Sequence, residues 1–123
     1  MKRYILSILT LCCLLFVYSC NYPTQASIEK VSPSGKVKVN IEAKRLTGVE
    51  PWKVNIKVKA YNFKEGQLST EIISNELNDK TVVFNWFEES SADIVFHQRD
   101  NSKRTFRLIA NAQQLQFAEM PAE

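Results

Sequence analysis

One histidine, His97, stands in this 123-residue chain, and acid–base chemistry would have to begin there. If Ala92 to His97 is a strand, Asp93, Val95 and His97 share one of its faces, with Ser90 and Ser91 just ahead. A serine hydrolase built from these types needs a poised serine, a carboxylate orienting the imidazole and an oxyanion hole. Neither serine sits in a glycine-rich elbow. His97 therefore reads as a solvent-facing strand histidine rather than a catalytic base. Glu88 and Glu89 offer the paired carboxyls of a glycosidase, but neighbours on a strand point to opposite faces and cannot flank one bond. In a turn they would simply be solvated. Metal chemistry has no better footing, with one histidine, cysteines only at positions 12, 13 and 20, and no calcium-loop spacing among the Asp and Asn residues. No catalytic residue, metal site or cofactor is expected, and the chain does not read as an enzyme.

Binding chemistry is better represented. Lys36, Lys38, Lys53, Lys57 and Lys59 recur at alternating positions, so two paired strands would gather their ammonium groups on one surface. Such a surface suits an acidic protein, an acidic glycan or anionic lipid headgroups. Lysines on outward strand faces also serve solubility and discourage edge pairing. Aromatic side chains give a second surface. Trp52 and Trp86 share phase with Val54 and Phe84 and are expected in the core. Tyr61 and Phe87 fall on the opposite faces, where they could stack on a sugar or anchor a partner.

These residues require strands to position them. Val37, Val39, Ile41 and Ala43 alternate with Lys36, Lys38, Asn40, Glu42 and Lys44, the period of a half-buried strand. Thr47-Gly48-Val49-Glu50-Pro51 breaks the pattern. It resumes with Trp52, Val54, Ile56, Val58 and Ala60 inward and Lys53, Asn55, Lys57, Lys59 and Tyr61 outward. Lys64-Glu65-Gly66 reads as a turn before a strand from Gln67 to Ser74, and Asn75 to Lys80 as a polar connector. Thr81 to Phe87 is apolar on both faces, which predicts a central strand or one covered on its second side. A hairpin over Ala92–His97 and Arg104–Ala110 and a short strand at Gln113–Phe117 complete the pattern. Closely spaced strands with turn signals between them predict an all-β domain, a small antiparallel sandwich or open barrel of about six or seven strands.

The N-terminus has a different character. Met1-Lys2-Arg3 is basic, Tyr4 to Val17 carries no charge, and the small Ser19 precedes Cys20. A basic start, a short apolar run and a small-residue cut site describe a secretory signal. The run is shorter than the roughly 20 residues of a membrane-crossing helix. Val17-Tyr18-Ser19-Cys20 resembles the lipobox of bacterial lipoproteins, with Tyr18 larger than is usual at its position. The resemblance implies cleavage before Cys20 and acylation of that residue, hence a membrane anchor. Asn21 in place of an inner-membrane retention aspartate implies the outer membrane as its destination within the cell envelope. Ser32-Pro33-Ser34-Gly35-Lys36 and Val83-Phe84-Asn85-Trp86 resemble a pattern seen in small envelope lipoproteins and in propeller blades, and this likeness implies no activity.

The domain organisation expected is thus a signal peptide at 1–19, a lipid-anchored tether at 20–34 and a single all-β domain at 35–120. Asn21 to Pro33, with two prolines and little apolar content, would reach about 40 Å when extended. All three cysteines precede the domain, which must be held by packing and sheet pairing rather than by disulfides. The formal net charge is +3, but Lys2 and Arg3 leave with the signal, and a near-neutral remainder argues against nucleic-acid binding. Basic residues concentrate between Lys30 and Lys64 and acidic ones after Glu65, so the halves can compensate across adjacent strands. The sequence thus reads as a membrane-anchored lipoprotein with a non-catalytic binding or scaffolding domain. A small exported inhibitor or immunity-type protein is the alternative on the same architecture.

Overall fold

The computed structural model describes residues 24–62 and 64–121. Residues 1–19, expected to be a signal peptide, and Cys20 lie outside the described residues. Eight strands follow in order: β1 (Thr24–Val31), β2 (Val37–Arg45), β3 (Trp52–Ala60), β4 (Lys64–Ile72), β5 (Val82–Phe87), β6 (Ser91–His97), β7 (Lys103–Ala110) and β8 (Leu115–Glu119). They form two antiparallel four-stranded sheets, β1-β2-β3-β4 and β5-β6-β7-β8. The fold is all-β, with the sheets stacked as a sandwich around one apolar core.

The alternation read in β2 and β3 is the alternation that packs. Val37, Val39, Ile41, Ala43, Trp52, Val54, Ile56, Val58 and Ala60 are all buried. The second sheet answers with Val82, Ile94, Phe96, Phe106 and Leu108. Phe96 and Phe106 meet edge to face at 5.4 Å and 83°, a favoured arrangement of ring quadrupoles.

Two expectations are corrected and a third is narrowed. The segment expected to be a tether is, from Thr24 to Val31, the paired edge strand β1, which brings the count to eight strands. Its inward apolar side chains are only Ala26 and Ile28, too few to announce a strand, but β2 supplies the pairing. Second, Lys64-Glu65-Gly66 is not a turn. It opens β4, with Gly66 opposite Val58. A Cβ on Gly66 would stand 3.3 Å from Leu115 of β8, so the missing side chain lets the two sheet edges approach. Third, β5 is an edge strand, which excludes the central position among the two readings of its apolar faces.

The ends of the sandwich are tied by polar groups. At one end Ser32, Ser34 and Ser90 link through their hydroxyls at 2.9 and 2.8 Å, and Tyr61 Oη lies 3.0 Å from Ser90 Oγ. Tyr61 holds φ at 55°, a conformation costly for a side chain with a Cβ. The hydroxyl contact, and a 2.8 Å bond from its N–H to the Lys36 carbonyl, keep it there. At the other end Arg45 donates to the carbonyls of Ser74 and Asn75 at 3.0 and 2.6 Å, and its guanidinium lies 4.2 Å from the Trp52 ring centroid. The connector between the sheets is strapped down by these contacts.

Candidate functional site

Successive strands of the first sheet turn every second residue outward, and the register decides which of them meet. Lys38 lies opposite Lys59, Asn40 opposite Lys57, and Lys44 opposite Lys53. Lys38, Lys53, Lys57 and Lys59 thus share one exposed face, as the spacing predicts. Lys44, which the alternation had already turned outward beside Lys53, belongs with them. The face is not purely basic. Glu29 pairs with Lys38 at 3.0 Å, Glu65 lies across from Lys59, and Glu71 across from Lys53. Directly opposed lysines repel, and these acids on the outer strands temper that repulsion.

Two shallow depressions cross this face. One is bounded by Lys38, Lys57, Lys59 and Gln67, the other by Ser27, Glu42, Lys44, Lys53 and Asn55. In the second, Asn55 Oδ1 is shielded from solvent and has no hydrogen-bond partner. Point charges on flat strands can attract an anionic surface, but they provide no enclosed orientation for a small molecule.

The other sequence candidates lie elsewhere. Lys36 is exposed in the β1–β2 turn rather than on the strand face. Tyr61 packs against the core and serves the hydroxyl chain. Phe87 is on the outer face of the second sheet, with the Arg107 guanidinium 5.5 Å from its ring centroid. Tyr61, Phe87 and the lysines therefore form no joint surface. The half-buried Val83, Val95 and Ile109 lie on the same outer face, with Asn85, Asp93 and Arg107 between the two valines and Phe87. The second apolar face of β5 was its signal in the sequence.

Arg107 grips Asp93 with two bonds of 2.8 and 3.0 Å. That hydrogen bonding holds the Asp93 carboxyl below its ordinary pKa, with burial acting against it, and raises the guanidinium's own pKa. Asp93 is therefore engaged with Arg107. Ser91, at the far end of β6 from His97, accepts a 3.3 Å bond from the Ala110 N–H. Among the described residues no group of three or more His, Cys, Asp or Glu could hold a metal ion.

A direct test of the lysine face is available. If the face engages an acidic partner, exchanging Lys38 and Lys57 together for glutamate abolishes that association while moving stability by only about half a kcal/mol. Lys38→Glu loses its Glu29 pair but sets an opposite charge against Lys59, so the effects on folding offset. Co-purification and melting temperature of the double variant separate the outcomes. Intact association overturns the binding face, and a stability loss beside it shows the lysines to be structural.

Compared with known proteins, the chain matches no family model, no curated protein and no solved structure. The class rests on the fold itself: a small two-sheet β-sandwich that presents one lysine-rich outer face and one outer face of mixed apolar and charged side chains.

Proposed function

We propose that this chain is a lipid-anchored lipoprotein of the bacterial cell envelope, whose β-sandwich binds or scaffolds an acidic partner without catalysing a reaction. The observation that carries the proposal is Val17-Tyr18-Ser19-Cys20 at the end of an uncharged run behind Lys2-Arg3, four residues ahead of the first paired strand residue, Thr24. The folded domain begins almost at the acylated cysteine.

The side chains around the sites weighed for chemistry support the non-catalytic part. Ser90 lies in the hydroxyl chain, Asp93 is held by Arg107, and Ser91 caps the end of β7. What remains outward are broad sheet faces, which suit a protein or polymer surface. The lysine-rich face is the one assigned to the acidic partner.

Metabolic labelling with a radioactive fatty acid tests the anchor. Wild-type protein is expected to carry label and to fractionate with membranes, whereas Cys20→Ala loses the label and is poorly retained there. Equal label in the two proteins would remove the lipoprotein reading.

A further inference from the structure

The loop between β2 and β3 carries apolar side chains that the core does not use. Leu46 is 69% exposed and Val49 78% exposed. They are not loosely placed. The Gly48 carbonyl between them accepts bonds from Arg45 at 3.3 Å and Arg99 at 3.2 Å, so two guanidinium groups hold the loop backbone from behind. Ile73, 48% exposed, follows Ile72, which is opposite Trp52, and thus lies at the same end of the sandwich. Burying such side chains in water-free surroundings is favourable.

The chain's own path points to such surroundings. In the β1–β2 register Thr24 is opposite Arg45, the residue just before Leu46. Thr24 is the first strand residue, and four residues of chain span at most about 14 Å. An acyl group on Cys20 therefore holds this end, and no other, close to the bilayer. Strands of eight or nine residues place the opposite end more than about 25 Å away. Charge agrees with this. Lys44 stands beside the loop between Gln25 and Lys53, with no acid opposite it in either register. Glu50 in the loop and Glu71 across from Lys53 offset part of this charge, but exposed Leu and Val with a lysine on either side suit a segment resting against an anionic headgroup layer.

We infer that the Leu46–Pro51 loop is a second membrane contact: Leu46 and Val49 dip into the bilayer that holds the Cys20 acyl chains, with Lys44 and Lys53 against its anionic headgroups. The strands then stand away from the membrane, and both outer sheet faces look sideways into the envelope, open to partners. This inference rests on the lipid-anchor reading, so its test measures the two separately.

Full-length lipidated protein is reconstituted into vesicles of phosphatidylethanolamine and phosphatidylglycerol bearing brominated acyl chains. Val49→Trp places a reporter in the loop, and Gln113→Trp places the same side chain in the exposed β7–β8 loop at the opposite end. Flotation with the vesicles reads the anchor, and bromine quenching reads the loop. The expected result is flotation of both variants, with quenching of about twofold or more for Val49→Trp above the wild-type tryptophan background and none for Gln113→Trp. Adding Leu46→Asp to Val49→Trp should remove the quenching without affecting flotation. Flotation with equal quenching in both variants overturns the loop contact and leaves the anchor standing. Failure to float overturns the anchor and the contact with it. A dimer of the detergent-solubilised Val49→Trp protein in sedimentation, dissociated by Leu46→Asp, would mean that a second copy covers the loop, and that also overturns the inference.

Discussion

Trp52→Ala is expected to destabilise the domain by roughly 3–5 kcal/mol, the usual cost of removing a large buried aromatic. The side chain is 3% exposed, so its loss leaves a cavity in the core. Its indole N–H donates to the Ser74 carbonyl at 3.0 Å, and Arg45 lies over its ring. Truncation therefore also strands a carbonyl acceptor at the start of the connector. Trp86→Ala should cost less. Trp86 is half-buried on an edge strand, stacked on Phe84 at 6.0 Å. Phe87→Ala should cost least, because Phe87 lies on the outer face. Urea denaturation of the three variants checks the order. A Trp86 variant weaker than the Trp52 variant would show that the second sheet dominates the core.

The second large effect is expected at Arg104. This residue shares phase with Phe106, so it enters the space between the sheets near their closely approaching edges, β4 and β8. Its guanidinium binds both oxygens of Glu119 at 2.7 and 2.8 Å, the Thr70 hydroxyl at 2.9 Å and the Glu71 carbonyl. One side chain thus spans from the second sheet to the first. Arg104→Ala is expected to cost about 2 kcal/mol, charge-assisted bonds being strong but here weakened by partial solvent access. Arg104→Lys should recover only part, since an ammonium cannot reproduce the planar fork.

The same pair sets an acid limit. Hydrogen bonding from Arg104 holds the Glu119 carboxyl below its ordinary pKa, as Arg107 does for Asp93. Unfolded carboxyls titrate near pH 4. The stability these groups contribute is therefore complete above about pH 5 and lost as pH falls through their lower folded values. Melting curves from acid to neutral pH should show that loss in wild type. Arg104→Ala should show less of it, because Glu119 then titrates alike in both states.

Two strands were legible almost residue by residue, and the reasons the others were not are physical. In β2 and β3 the inward positions are uniformly aliphatic or tryptophan and the outward ones uniformly polar. A central strand with one wet face leaves that signature. β1 is an edge strand that buries Ile28 fully and Ala26 only in part, so its sequence resembles a linker and only its partner reveals it. Gly66 suggested a turn because glycine usually marks one. Here it marks a close approach that depends on Leu115, 49 positions on in the numbering, which no local pattern can show. The lysine face was visible because it follows from alternation alone. Tyr61 was not placed correctly, because a positive φ at the strand's end breaks the alternation that had turned it outward.

Both sheets are simple meanders, each drawn from one unbroken stretch of chain. Every ladder closes over a short loop, so forming either sheet involves little loop entropy. The only non-local event in folding is the docking of one finished sheet on the other. A chain that emerges from its N-terminus can complete the first sheet while the second is still missing. That half-built molecule has a bare inner face of Val39, Ile41, Ile56 and Val58 and two free edges, the form in which nascent β proteins stack and aggregate. On its back it already carries Lys38, Lys44, Lys53, Lys57 and Lys59. The ladder thus supplies charge repulsion between nascent copies during synthesis, before there is a finished surface for any partner to find.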